Sequence, residues 1–411
     1  MHLTRASLKA SFWLTSYNAI SKLTGLVKTI ILARILTPAQ FGYWGFVSLG
    51  LNLIETFTET GVETALIQKK EVSRSELSAG WAIFMVRSII ISLVLFLAAP
   101  LVAFFFHSPQ IVPYIRFIAF TPILRALRNP ALVFIKKRLE FHKEFVFLTI
   151  GSLTEIISAV IITVATRDIW GIVLSISIGA IGEIIASYLV VKPIWPCRFK
   201  MSQALPLIHF GKWVWGSSIL SFIVDQGDDI VVGRLLGATS LGFYQNAYKV
   251  ASLPATEITG VVTKVTLPAF SMIQDDKKRL LRAFKKTFIA TTAVTLSATI
   301  FIIIFAHPIV KIIFGEQWLS IVPTLRILCV YGAIRASSST FGSLLYALGK
   351  PRVATIASFI RATSMFVIIF PLTIKYGING TSWATVISAI FTLVIFVVVI
   401  RKTIQNENSS R

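Results

Sequence analysis

Apolar residues run along this chain in long blocks, separated by short segments that carry charge, Gly or Pro. A helix needs about 20 mostly apolar residues to cross a bilayer. That length predicts twelve spans, at 11–35, 41–66, 79–106, 112–135, 144–166, 169–191, 210–236, 241–268, 284–306, 321–348, 353–374 and 378–400. The runs lack the period-two alternation of barrel strands, so the expected class is an all-α polytopic membrane protein. The first run is too long for a signal-peptide core, contains Lys22 and Lys28, and shows no small-residue cleavage site, so it reads as a retained span.

Basic residues set the direction of the spans. Arg5 and Lys9, Lys69, Lys70 and Arg74, Lys136 to Arg138, Lys192 to Lys200, Lys277 to Lys286, Lys350 and Arg352, and Arg401 and Lys402 fall in alternate loops. The opposite loops hold little beyond Arg167, Lys311 and Lys375. Cytoplasmic loops retain Lys and Arg, so both termini are expected in the cytoplasm and the number of spans is even. The loops are short, which leaves no room for a soluble catalytic domain.

Composition agrees with a lipid solvent. The chain is 55% hydrophobic and 14% charged, with a mean hydropathy of +0.78, against roughly a quarter charged in an ordinary soluble domain. A net charge of +22 would point to nucleic acid only if it formed one patch; here it lies between apolar spans, and no nucleic-acid partner is expected. Cys197 and Cys329 imply no disulfide framework, and the five histidines are far apart with no metal-binding spacing. No metal or cofactor is expected, and without a G-x-x-x-x-G-K-[ST] pattern this chain is not expected to hydrolyse ATP.

The two halves resemble each other. At an offset of 200, Arg34, Leu36 and Gly42 meet Arg234, Leu236 and Gly242; at 208, Pro100 meets Pro308; at 210, Ile111-Val112-Pro113 meets Ile321-Val322-Pro323, and Arg116 and Arg125 meet Arg326 and Arg335; at 209, Ile169 and Gly171 meet Ile378 and Gly380. Such an ordered series predicts a duplication of six spans. Two lobes are expected, at 1–200 and 201–411, running parallel with a central cavity between them, as in a class of secondary transporters.

Ionised groups at the centre of a span cost about 2.5–3.5 kcal/mol each and therefore face protein or water. Glu55, Glu59 and Glu63 share a face of the second span, and Asp225, Asp228 and Asp229 a face of the seventh. The cationic candidates for binding an anionic substrate are Lys22, Lys28, Arg87, Arg125, Arg335 and Arg361. Candidates for ion coupling or gating are Glu55, Glu59, Asp225, Asp228 and Asp229. The offset of 200 makes Lys28 and Asp228 equivalent, which predicts a contact across the repeat axis that closes one end of the path. The alternative for each charge is a salt bridge that only holds helices together.

The segments GLVKTIILARILTPAQFG (25–42), GVETALIQKKEVSRSEL (61–77), DDIVVGRLLGATSLGFYQNAYKVASLP (228–254), FGEQWLSIVPTLRIL (314–328) and ALGKPR (347–352) resemble the polysaccharide transporter family. That family belongs to the multidrug/oligosaccharidyl-lipid/polysaccharide flippase superfamily, and the likeness is closest to its exopolysaccharide and teichuronic or colanic acid exporter branch. The resemblance implies an inner-membrane flippase that moves undecaprenyl-diphosphate-linked oligosaccharide repeat units to the periplasmic face, beside membrane lipid and a polysaccharide polymerase with its chain-length machinery. Asp228-Asp229 stands where many branch members have Asp-Asn, which changes the charge of the cavity. Rival readings are a multidrug or organic-cation exporter of the same superfamily and a membrane-embedded sugar polymerase or acyltransferase. The polymerase and acyltransferase readings call for a sizeable outer loop or a His/Asp cluster, and neither is apparent.

Overall fold

The computed structural model describes residues 2–57, 62–69, 72–138, 140–193 and 201–408. Among the described residues all regular structure is helical. The chain divides into two compact units, Met1–Asp225 and Gln226–Arg411. The lobe boundary expected at 200/201 falls earlier, at the start of the long helix that crosses from one unit to the next.

Unit 1 contains α1 (His2–Ile35), α2 (Pro38–Phe57), α3 (Val62–Gln68), α4 (Arg74–Phe105), α5 (Val112–Ile118), α6 (Thr121–Ala126), α7 (Leu132–Lys137), α8 (Phe141–Thr166) and α9 (Trp170–Val190). Helix α8 packs along α9 and α1, while α4 packs against α2, α3, α5 and α6. A Ser73–Glu76 capping box fixes the start of α4. The helix α10 (Met201–Met272) leads into unit 2, which continues with α11 (Lys277–Ile304), α12 (Ala306–Ile313), α13 (Val322–Ala347) and α14 (Pro351–Asn408). There α13 packs on α11 and α14, and Phe270, Leu280, Phe341, Leu344 and Phe396 form a buried core.

Two of the long helices are hairpins. In a straight helix, residues sixteen apart would be about 24 Å from one another, yet Tyr244 hydrogen-bonds Asp228 within α10. The chain turns at Gly237, where φ is 80°. Likewise Thr373 and Thr381 hydroxyls meet at 2.8 Å across Gly377, with φ 60°, in α14. Both turns need the left-handed region that glycine adopts without a Cβ clash. They fall between the predicted spans at 236/241 and 374/378.

Among the described residues, six helices are long and apolar enough to cross a membrane, within Arg74–Phe105, Phe141–Thr166, Trp170–Val190, Lys277–Ile304, Glu316–Ala347 and Pro351–Val398. Their outward faces carry exposed Phe104, Leu189 and Val367. Such a surface suits lipid and not water.

The fourth predicted span, 112–135, is not one helix. It is broken into α5, α6 and α7, with Leu127 capping α6 and residues 128–131 outside helical hydrogen bonding. Pro130 explains the second break, because it has no N–H to give the Ala126 carbonyl four residues back. The Trp81 indole Nε1–H takes that carbonyl at 3.1 Å, and the Tyr188 hydroxyl takes the next one, Leu127 O, at 3.2 Å. Asn129 accepts from Ala131 N at 3.0 Å and donates to Val191 O at 2.9 Å, which pins the break to the end of α9. Trp81→Phe keeps the ring but removes the donor. We expect it to cost about 1–3 kcal/mol, read as a lower denaturation midpoint in detergent; an unchanged midpoint would mean that another donor meets the Ala126 carbonyl.

The duplication reappears in the backbone. His107 and Gly315 both have positive φ, 50° and 100°, at the offset of 208; Arg167 and Gly377 do so at 210, with 52° and 60°. Tyr114 donates to Asp168 at 3.0 Å in unit 1, and Thr324 donates to Asn379 at 2.7 Å at the corresponding place in unit 2. The same turns and ties recur at the offsets seen in the sequence, so each unit is built on one internal plan.

Candidate functional site

Several of the charged candidates gather into a separate cluster inside each unit. In unit 2 the turn at Gly237 folds the second half of α10 back onto the first. Tyr244 Oη then donates to Asp228 Oδ2 at 2.7 Å, and Gln245 Nε2 donates to Asp229 Oδ2 at 2.9 Å. The Asp229 N–H donates to Asp228 Oδ1 at 3.0 Å. Asp228 and Tyr244 are buried, so both carboxylates are held by neutral donors in a water-poor setting, where unpaired polar groups are costly.

One turn further along the same face is Tyr248, with its ring 6.3 Å from Tyr244 and 6.0 Å from Tyr331 of α13. Arg335 lies four residues after Tyr331 on α13, and its Nη1 donates to Tyr248 Oη at 3.0 Å. Three sequence candidates, Asp228, Asp229 and Arg335, thus belong to one polar network on α10 and α13, joined through tyrosines. Tyr244, Gln245, Tyr248 and Tyr331 did not stand out in the sequence. Their signal was the spacing of four between Tyr244 and Tyr248, just beyond a glycine turn that faces two aspartates.

In unit 1 the Arg87 Nη2 donates to the Glu55 backbone carbonyl at 2.8 Å, and Arg125 stands 3.7 Å from the Glu55 carboxylate. These residues border a cavity of about 390 Å3, whose wall also includes Arg128, Lys136 and Glu144. Arg128 pairs with Glu183 of α9. Lys28 pairs with Glu155 of α8 at 2.5 Å. Lys28 and Asp228, expected to meet across the repeat axis, each have a partner within their own unit. Lys22 and Asp225 are exposed on α1 and α10. Glu59 and Cys197 lie outside the described residues, as does the side chain of Glu63.

No group of His, Cys, Asp or Glu among the described residues is arranged to hold a metal ion. Both clusters combine opposite charges with hydroxyl or carbonyl groups. Such groups can exchange partners with an anionic or protonated ligand at little net loss of hydrogen bonding.

Residues 31–323 match the family described as polysaccharide biosynthesis protein. The chain is 28% identical over 358 residues to the lipopolysaccharide biosynthesis protein WzxC of Escherichia coli K12, covering 85% of this chain and 72% of that one. It is 26% identical over 335 residues to the succinoglycan biosynthesis transport protein ExoT of Rhizobium meliloti, covering 81% and 68%. With the teichuronic acid biosynthesis protein TuaB of Bacillus subtilis the identity is 22% over 357 residues, covering 86% and 73%. Among solved structures, the lipid II flippase MurJ in an inward closed conformation superposes with a TM-score of 0.76 at 17% identity, over 94% of this chain and 87% of MurJ. An inward-facing multidrug resistance transporter of the MATE family gives 0.77 at 13% identity, over 98% and 100%. These two share the polytopic all-helical fold with this chain.

Proposed function

Because this chain belongs to the polysaccharide biosynthesis protein family, we propose that it is a flippase for lipid-linked oligosaccharide repeat units, feeding the assembly of a cell-surface polysaccharide. The cargo is carried on undecaprenyl diphosphate from the cytoplasmic to the periplasmic face of a bacterial inner membrane, with both chain termini in the cytoplasm. It acts as a carrier and not as a catalyst, and a polysaccharide polymerase with its chain-length machinery receives the product.

The observation that carries this reading is the polar network of Asp228, Asp229, Tyr244, Tyr248 and Arg335, with Asp228 and Tyr244 buried, within apolar helices. Intramembrane charge of this kind marks substrate and ion pathways. Arg335 and Arg361 of unit 2 supply cations for the diphosphate; Arg offers a planar fork that matches phosphate oxygens. Asp228 and Asp229 of unit 2 form the ion-responsive part. A bound diphosphate competes with the Tyr248 hydroxyl for Arg335, and that exchange links cargo binding to the tyrosine chain.

The multidrug exporter reading is favoured by the shared fold with the MATE transporter. One experiment separates the two. Purified protein is reconstituted in vesicles with a fluorescent polyprenyl-diphosphate glycan, and in parallel with a fluorescent organic cation. Protein-dependent movement of the glycan and none of the cation is expected. Cation export without glycan movement would replace the flippase reading by the exporter one.

A further inference from the structure

Helix α11 opens on a dense run of positive charge. Residues 275–286 read DDKKRLLRAFKK, and Asp276 caps the helix by accepting from the Arg279 N–H at 3.0 Å. The side chains that follow sort by helical angle. Leu280 is buried with Phe270, Phe341, Leu344 and Ala354, and the rings of Phe284 and Phe288 lie 5.1 and 5.2 Å from that of Phe341. Lys278, Arg282 and Lys285, at i, i+4 and i+7, fall on the opposite face with Arg279 and Lys286 beside them, and all five are exposed. The apolar side is held in the core of unit 2, so the charged side is fixed outward.

The depth of these cations follows from the rest of the helix. Residues 287–304 contain no charge; at 1.5 Å per residue they extend about 27 Å, close to the ~30 Å hydrocarbon core of a bilayer. Ile289, Val294 and Ile300 are exposed along that length, which suits lipid. Lys285 and Lys286 then stand at the edge of the core, and Lys278 lies about 12 Å further out. The headgroup layer is roughly 5–7 Å deep on each side, so even the outermost cation is within the ~8 Å screening length of it. Arg352 is exposed at the same end, where Ala347 and Ala354 pack with Leu280.

From this arrangement we infer that the charged face of α11 is an interaction surface for the anionic headgroups of the surrounding bilayer, gathered by net charge and not by headgroup chemistry. Clustered Lys and Arg beside an apolar span complement a negatively charged leaflet. Separate exposed side chains attract charge without reading the shape of the headgroup that bears it. A soluble acidic partner would have to displace headgroups to reach Lys285 and Lys286. The inference concerns the lipid around unit 2 and stands whatever cargo crosses the membrane.

A fluorescent reporter beside the cations tests it in the full-length protein. Ile289→Cys is combined with Cys197→Ser, Cys329 being buried, labelled with bimane and placed in phosphatidylcholine nanodiscs. A minor fraction of the lipid is nitroxide-labelled phosphatidylglycerol or nitroxide-labelled phosphatidylcholine. Both carry a phosphate and acyl chains, and only the first has net charge. Phosphatidylglycerol should quench the reporter roughly threefold more in low salt. The two should quench equally in 1 M salt, where screening acts within about 3 Å. Unlabelled sulfoquinovosyldiacylglycerol, an anion without phosphate, should compete with the phosphatidylglycerol. Lys278→Gln, Arg282→Gln and Lys285→Gln together should remove the preference, while Lys278→Arg, Arg282→Lys and Lys285→Arg together should keep it. A reporter on Ile304→Cys, exposed at the other end of α11, should show no preference. Equal quenching by the two lipids in low salt would overturn the inference. So would a preference that survives the glutamine variant or is as strong at residue 304, and a sulfolipid that fails to compete would make the surface one for phosphate.

Discussion

Arg335→Ala protein is expected to move a fluorescent polyprenyl-diphosphate glycan roughly tenfold to hundredfold more slowly than the parent, the loss that goes with one charge-assisted hydrogen bond. Arg361→Ala should fall in the same range, because Arg361 is the other central arginine proposed to meet the diphosphate. Two further variants separate recognition from architecture. Arg335→Lys keeps the charge but loses the fork, so it should recover only part of the rate. Tyr248→Phe removes the 3.0 Å hydrogen bond to Arg335 while leaving the guanidinium in place. If Tyr248→Phe slows transport as much as Arg335→Ala, the arginine serves to hold α13 against α10. If both alanine variants match the parent, Arg335 and Arg361 do not bind cargo.

The largest loss of stability is expected from Gly380→Ala. A methyl group there would sit 1.9 Å from the Leu372 carbonyl oxygen and 2.5 Å from its carbon. These are backbone atoms of the opposing arm of the α14 hairpin, so no rotamer change relieves the overlap, and the arms must separate. The same contact exists in unit 1, where a Cβ on Gly171 would meet Thr163 Oγ1 at 1.9 Å and Thr163 N at 2.7 Å. Forced overlap in a packed interior costs about 1–3 kcal/mol and occasionally more; against a fixed carbonyl we expect the upper end, near 3 kcal/mol. Gly260→Ala is the control. It lies in a helical part of α10 with nothing within 4 Å of the added methyl, and it should gain about 0.5–1 kcal/mol. Denaturation midpoints in detergent should therefore order as Gly260→Ala, parent, Gly380→Ala. An unchanged Gly380→Ala midpoint would mean that the hairpin arms separate freely.

The paired glycines also show why the duplication was legible before any fold was known. Gly171 and Gly380 align at an offset of 209, and so do Thr163 and Leu372, the residues they touch. The contact needs only a small residue on one side, so the glycine repeats while its partner drifts from Thr to Leu. At the other turns even the glycine is dispensable. His107 and Arg167 hold left-handed backbone where Gly315 and Gly377 hold it in unit 2, so a search for repeated glycines misses those turns.

The sequence by itself determined the solvent, the helical class, most of the span positions and the twofold plan. Each of these follows from local properties: runs of apolar residues, breaks at Gly and Pro, and loops that carry Lys and Arg. It also named Asp228, Asp229, Arg335 and Arg361, because charge in an apolar run is visible without a fold. Only the tertiary structure decided their company. The tyrosines that join them are ordinary in an apolar helix until the turn at Gly237 carries Tyr244 back onto Asp228. Likewise the fourth span reads as one apolar run; Pro130 breaks it, and only the fold shows that Trp81 and Tyr188, on distant helices, take the carbonyls the break frees. Hydrophobicity along a chain fixes which segments leave water; which polar groups then meet depends on contacts between residues far apart in sequence, and those are settled only when every buried donor and acceptor must find a partner.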